Sequence, residues 1–252
     1  MSADDRPWPS LGVVVPVYNE AATIEHACRE ICAVAERYEG RAVVIAVDDG
    51  SADESAEILA RLADELEPLV LEARPANGGY GAALGSGARR AHELGLEYVA
   101  FMDSDLTNPP QDLLKIGELA REGHPYIKGS RFLPGGGMAA VDPSRRAVTK
   151  TGNVVGRTLF GTGVRDVTNG FRAVRTELFL SWPLREPGFA VIMEELDWAL
   201  RSGVQPVEFP TELGTRSGEQ RPTAFSYDPA TVLSYLRYPA RAFARRVRGR
   251  RP

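Results

Sequence analysis

No apolar run in the 252-residue chain approaches the roughly 20 residues that a membrane-spanning helix needs, so no such span is expected. The start, Met-Ser-Ala-Asp-Asp-Arg, has neither the basic n-region nor the apolar h-region of a secretory leader, and export is not expected. Cysteine is scarce, with two residues, Cys28 and Cys32. Their spacing places both on one face of a helical pattern with Ile24 and Ile31, which argues for core packing rather than a disulfide or a metal site. The three histidines, His26, His92 and His124, lie in amphipathic segments or a loop, apart from other candidate ligands, and read as surface residues. Internal repeats and low-complexity segments are lacking as well.

What remains is a globular composition, 43% hydrophobic and 25% charged, long enough for a good core in one domain or one large domain with an appendage. The net charge of −4 hides an asymmetry. Residues 237–252 hold seven arginines and no acid, which leaves 23 basic against 34 acidic residues ahead of them, a net of −11. An acidic body with no aromatic-basic groove argues against nucleic acid. Over residues 229–247, Val232, Leu233, Leu236, Ala240, Phe243 and Val247 fall near helical spacing, with Pro239 expected to kink the helix. Arginines on its other faces suit a helix lying on an anionic bilayer, the alternative being a solvated tail.

The body reads as alternating strands and helices. Residues 11–17 form an apolar run ended by Pro16-Val-Tyr-Asn-Glu20, and a helical pattern follows until Gly40. Residues 42–47 read as a second strand with Asp48-Asp-Gly-Ser51 as its loop, then a helix through Leu66 and a short strand at 68–73. A glycine-rich turn at Asn77 to Gly81, a helix through Leu94 and a strand at 99–102 complete a β-α-β series, which predicts a mainly parallel sheet. Beyond it come a helix to Glu122, a strand at 126–128, a glycine-rich loop at 129–137, a polar basic stretch to Asn153, a helix around Met193 and a strand at 205–209.

The centre of this pattern is Met102-Asp-Ser-Asp105, where a buried strand runs into two carboxylates. Ligands of open α/β sheets collect beyond the carboxyl edge, and two hard oxygen ligands there suit Mg²⁺ or Mn²⁺ carrying phosphate; the bland reading is a solvated turn. Asp48-Asp49 and Asn77 to Gly81 are placed on the same edge.

Taken together, Pro16-Val-Tyr-Asn-Glu20, Val47 to Asp53, Asn77 to Ala83 and Met102 to Leu106 resemble the family 2 glycosyltransferases of the GT-A fold, over roughly residues 11–131. Gly129-Ser-Arg-Phe, Pro134 to Gly137 and Asp166-Val-Thr-Asn-Gly-Phe-Arg172 look like the dolichol-phosphate mannose synthase branch, the polyprenyl-phosphate glycosyltransferases. The resemblance implies that Pro16, Tyr18, Glu20 and Asp49, with Asp48 shaping the loop, meet the nucleotide. It makes Asp103 and Asp105 the Asp-x-Asp pair on the metal and the sugar diphosphate. Arg131 and Arg216 are implied to meet phosphate, and Glu194, beside Glu195, to act as a base or to position the acceptor. Helix capping is the alternative for Asp48 and Asp49, a role Ser51 or Asp53 can fill.

The sequence departs from this branch at Thr107, where many relatives carry Gln, and at Gly218-Glu-Gln-Arg221, where the branch shows Ser-Lys. It also has none of the transmembrane helices that many relatives append. The implied organisation is an N-terminal extension at 1–10, a GT-A domain at 11–227 and a basic amphipathic tail at 228–252. The implied activity is inverting transfer of a hexose, mannose from GDP-mannose, to a polyprenyl phosphate. The enzyme is then peripheral at the cytoplasmic membrane face, held by the tail or a partner subunit. A soluble glycosyltransferase using a UDP-sugar on a hydroxyl, and a non-catalytic nucleotide-binding subunit, are the alternatives. A lipid phosphate needs no base whereas a hydroxyl does, and no unambiguous base is legible.

Overall fold

A computed structural model describes residues 6–215 and 229–249. Seven strands, β1 (Leu11–Val17), β2 (Ala42–Asp48), β3 (Leu69–Ala73), β4 (Tyr98–Phe101), β5 (Tyr126–Ser130), β6 (Arg172–Arg175) and β7 (Val207–Pro210), form one sheet in the order β3-β2-β1-β4-β6-β5-β7. All pairings are parallel except those of β6, which runs antiparallel to both β4 and β5. The mainly parallel sheet expected from the sequence is present, with β4 starting one residue early at Tyr98 and Met102 still donating its N–H to the Val14 carbonyl at 3.1 Å.

Strand residues alternate between two apolar layers. Val13, Val15 and Val17 face α1 (Ile24–Ala35), α2 (Ser55–Glu65) and α4 (Asp112–Arg121). Val14, Ile45 and Val47 face α3 (Tyr80–Glu93), α6 (Thr176–Ser181), α7 (Val191–Arg201) and α8 (Pro229–Val247). Cys28 and Cys32 are buried thiols with no disulfide, in the first layer, as their spacing implied.

One helix lies where the sequence showed only a polar, basic stretch: α5 (Pro143–Phe160). Its ends are well signalled. The Asp142 carboxylate caps the Ser144 N–H at 2.9 Å, Pro143 occupies the first turn, and Gly161 closes the helix at φ 65°. Apolar periodicity is weak because Asn153, Gly156 and Phe160 are its buried residues, while Val148, Val154 and Val155 are exposed.

The basic tail is docked rather than detached. Tyr238 and Ala242 of α8 are buried in the second layer, and α8 runs unbroken through Pro239 against α5 and α7. Arg237 pairs with Glu186 at 2.9 Å and Arg245 pairs with Asp197. Val232, Leu233, Phe243 and Val247 remain exposed, close together on a helical projection.

Candidate active site

The chain passes from β1 outward to β2 and β3, then returns to place β4 on the other side of β1. That reversal between β1 and β4 is where a crevice opens at the carboxyl edge of a parallel sheet. Because β6 runs backwards, its preceding loop, Asp166 to Phe171, opens on the same edge as the loops after β1, β4, β5 and β7.

A cavity of about 650 Å³ occupies this edge. Asp103, Asp105, Thr107 and Tyr80 line it, with Arg131 and Thr168 to Gly170. Arg145, Val148, Thr149, Gly152 and Gly156 of α5, and Val232, Leu236 and Pro239 of α8, line it as well. The carboxylates thus share one cavity with a mixed wall from α5 and a largely apolar wall from α8.

Asp103 and Asp105 are half-buried and both line this cavity. The Tyr80 hydroxyl donates to Asp103 Oδ1 at 3.2 Å, and its ring stacks on Phe189 at 4.5 Å. Asp105 Oδ1 accepts the Thr107 N–H at 3.0 Å and the Thr107 hydroxyl at 2.8 Å. Between them Leu106 takes φ 54°, a left-handed conformation that costs a branched residue about 1–2 kcal/mol. The paired Thr107 bonds close the turn over that strain, which points both to a built loop and to a function for it. Among the described residues no group of three or more His, Cys, Asp or Glu forms a complete cage. Two hard carboxylates lining one cavity have a chemistry that suits Mg²⁺ or Mn²⁺ rather than a softer ion.

Arg131 lines the cavity but is anchored. Its Nε and Nη2 reach Asp166 at 2.6 and 2.8 Å, and Nη2 reaches Thr168 Oγ1 at 2.7 Å. Asp166 is fully buried, and the facing Arg131 guanidinium outweighs the effect of burial, holding its carboxyl below the usual range. The pair fixes the Asp166 to Arg172 loop as one wall. Behind it Arg172 and Glu195, both 0% exposed, form a forked ion pair closing to 2.5 Å. Arg172 Nη1 donates to the Gly170 carbonyl at 2.6 Å.

The residues expected at the nucleotide lie on the adjoining stretch of the edge, outside the lining of this cavity. Tyr18 is 47% exposed, an aromatic face open for stacking. Asn19, at φ 55°, is interlocked with the next loop: its N–H meets Ser51 Oγ at 2.9 Å and its Oδ1 accepts the Ala52 N–H at 2.8 Å. The Glu20 N–H is tied to Ser55 Oγ at 2.8 Å, and Pro16, the penultimate residue of β1, stands beside Val47. Asp48 and Asp49 are buried. Asp48 accepts the Ser51 N–H at 3.2 Å, whereas Asp49 binds Arg74 and the N–H groups of Gly78 and Gly79 at 3.1 and 2.8 Å, so it holds the glycine-rich turn. Asp53 is the residue at the start of α2, accepting from Ser55. That turn needs its glycines for close packing: a Cβ on Gly81 would lie 2.1 Å from the Glu186 carbonyl oxygen.

Glu194 is placed differently from the expectation. It is 4% exposed, does not line the cavity, and its Oε2 accepts the N–H groups of Arg185 and Glu186, both at 2.8 Å. Its work is to tie down the 183–188 loop that covers the start of α3. Arg216 and Gly218 to Arg221 lie outside the described residues. Tyr80, Phe189 and Gly170 line the cavity although the sequence did not single them out; Tyr80 and Gly170 sat inside quoted motifs, and Phe189 had no such signal.

Several proteins and solved structures are similar to this chain. The polyprenol monophosphomannose synthase of Mycolicibacterium smegmatis is 29% identical over 221 residues, 81% of this chain and 77% of that protein. The dolichol-phosphate mannosyltransferase of Pyrococcus furiosus is 28% identical over 233 residues, and the match spans 90% of this chain but 62% of that longer protein. Among solved structures, glucosyl-3-phosphoglycerate synthase of Mycobacterium tuberculosis, crystallised with Mn²⁺ and uridine diphosphate, superposes with a TM-score of 0.60 at 23% identity, covering 97% of this chain and 81% of that one. Mannosyl-3-phosphoglycerate synthase of Rubrobacter xylanophilus gives 0.61 at 20% identity, covering 96% and 74%. At these identities the likeness is one of fold, and the fold is GT-A. The model for glycosyl transferase family 2 matches residues 12–181, and the chain belongs to that family.

Proposed function

We propose that the chain is an inverting, metal-dependent hexosyltransferase that moves mannose from GDP-mannose to a polyprenyl phosphate at a membrane surface. The carrying observation is a single cavity in which the carboxylate pair shares space with the apolar side chains Val148 of α5 and Val232 and Leu236 of α8. A sugar nucleotide alone has no use for that apolar lining. A phosphate on a long hydrocarbon chain suits both kinds of lining, and the named relatives in Mycolicibacterium and Pyrococcus support the same acceptor class.

Asp103 and Asp105 would hold the divalent cation, which when bound neutralises charge gathering on the departing nucleoside diphosphate. Tyr80 orients Asp103, and Thr107 orients Asp105. Tyr18, Pro16, Glu20 and the Asp48-Asp49 loop would receive the nucleotide along the neighbouring edge. In the transfer an acceptor phosphate oxygen bonds the anomeric carbon while the bond to the diphosphate breaks and its electron pair leaves with the diphosphate. A phosphate is already anionic, so no proton has to be removed. The other carboxylate lining the cavity, Asp142, is poorly suited as a base: the Ser144 hydroxyl and N–H bonded to it hold its pKa below the usual value. Glu194 faces away.

The exposed stripe of Leu233, Phe243 and Val247, flanked by Arg241 and Arg248, supports peripheral attachment to an anionic bilayer at the cytoplasmic face. Among the described residues no helix is long and apolar enough to cross a membrane.

Gly152 offers a test of the acceptor path, because it lines the cavity and a Cβ there meets nothing within 4 Å. Gly152→Leu fills cavity space next to α5 and improves helix propensity. The expected result is a KM for polyprenyl phosphate raised about tenfold, the equivalent of 1.4 kcal/mol, with donor affinity and melting temperature maintained. An unchanged acceptor KM contradicts the path.

A further inference from the structure

Lys128 is a fully buried lysine at the middle of β5, with no obvious task in the transfer. Its Nζ donates to the Asn169 carbonyl. In the sheet it stands in register between Arg172 and Glu208. The charges around it are Arg172, Arg131, Asp166 and Glu195. Glu208 is occupied with the N–H groups of Arg165 and Asp166, at 2.7 and 2.8 Å. Three cations and three carboxylates thus balance, and what the lysine adds is direction rather than net charge.

A trans peptide is planar, with its C=O and N–H pointing in opposite senses. Drawing the Asn169 oxygen inward to Lys128 turns the Gly170 N–H outward, and Gly170 lines the cavity. The following peptide is closed at both ends: the Gly170 carbonyl accepts from Arg172 at 2.6 Å, and the Phe171 N–H meets Asn169 Oδ1 at 3.2 Å. The preceding N–H groups of Thr168 and Asn169 bond Asp166 at 3.3 and 3.1 Å. The Gly170 N–H has no acceptor among the described residues. It sits beside the metal-binding carboxylates, since a Cβ on Gly170 would lie 3.2 Å from the Tyr80 hydroxyl and 3.9 Å from Asp103 Oδ2.

We propose that the Gly170 backbone N–H is a phosphate-oxygen donor of the active site, and that Lys128 is the positioning residue that aims it. The proposal rests on the reading of this cavity as a phosphate-transfer site and adds a contact that no side chain announces. Absence of a Cβ at Gly170 leaves the approach open, and the fixed peptide needs no reorganisation when charge arrives.

The test follows one amide. The sequence holds two Asn-Gly pairs, Asn77-Gly78 and Asn169-Gly170, so labelling Asn with ¹³C-carbonyl and Gly with ¹⁵N yields two cross-peaks, told apart by Gly78→Ala. Full-length protein is titrated separately with GDP and Mg²⁺, with a short polyprenyl phosphate, and with inorganic phosphate. The Gly170 amide is expected to move downfield and to exchange more slowly with solvent. Movement with GDP and Mg²⁺ assigns the contact to the donor diphosphate, and movement with the polyprenyl or inorganic phosphate alone assigns it to the acceptor.

Lys128→Met should raise the KM of the ligand so assigned about tenfold, with a smaller change in kcat, and Lys128→Gln, which keeps a shorter N–H donor, should fall between. A Gly170 amide that all three ligands leave unmoved, in wild-type protein shown by thermal shift to bind them, overturns the proposal whatever the variants do. Lipid-linked product with a silent Gly170 leaves the function standing without this contact. A Gly170 response to inorganic phosphate with no transfer supports the contact and removes the function.

Discussion

Glu195→Ala should destabilise the protein more than any substitution on its surface. The carboxylate lies at 0% exposure against Arg172, also at 0%, with Nε contacts of 2.9 and 3.1 Å and an Nη2 contact of 2.5 Å. Removing it leaves a guanidinium stranded between Phe101, whose ring centroid is 4.5 Å away, and the Gly170 carbonyl. Stranding one member of a buried ion pair costs about 3–5 kcal/mol. In a domain of this size that lowers the melting temperature by roughly 10 °C. The double variant Arg172→Met/Glu195→Ala removes both charges and should lose much less than the single variants Arg172→Met and Glu195→Ala combined. Urea denaturation of the four proteins measures this. A single-variant loss below about 1 kcal/mol, or strict additivity in the double variant, would refute the claim that the pair is a dry, coupled unit beneath the cavity wall.

Burial, reinforced by the nearby Arg172 charge, pushes the Lys128 ammonium down to about 8. The unfolded chain then holds the extra proton between about pH 8 and 10.4, so stability should rise across that window by on the order of 3 kcal/mol. Lys128→Met should lack the rise, and parallel urea midpoints for the two proteins from pH 7.5 to 10 contradict it. Burial also pushes the Cys28 and Cys32 thiols up to about 12, so neither should react with a thiol reagent at pH 8 until the protein is unfolded; rapid labelling of native protein contradicts this. Leu233 and Phe243 are 68% and 47% exposed, so Leu233→Glu/Phe243→Glu should leave the melting temperature within about 2 °C while abolishing flotation with anionic vesicles. Flotation equal to wild type removes the membrane role of α8.

Strands β1, β2 and β4 were legible because each is an apolar run leading into Asn or Asp, a pattern set by burial on both faces. The second half of the chain hides its elements. β6 carries Arg172 at full burial, and its stabilising partner Glu195 comes from α7, 23 residues away, which no local pattern reveals. Similarly, α5 buries a thin stripe because much of its inner face borders the cavity rather than a core, leaving the Asp142-Pro143 cap and Gly161 as its signals. At the site, Asp103 and Asp105 could be placed from the strand that delivers them. Glu194 could not, because an acidic residue on a helix reads alike whether it faces a substrate or the backbone of the 183–188 loop. The aim of a peptide such as Asn169-Gly170 depends on a buried lysine 41 residues earlier.

The account turns on the acceptor. Purified full-length protein, supplied with labelled GDP-mannose, Mg²⁺ and a short polyprenyl phosphate, should produce a mannosyl-phosphoryl-polyprenol with inverted anomeric configuration. Production should fall by about a hundred- to a thousandfold in Asp105→Asn, the scale of losing a group that stabilises developing charge. Lipid-linked product absent from wild-type protein that binds GDP-mannose contradicts the assignment, as does full activity in Asp105→Asn.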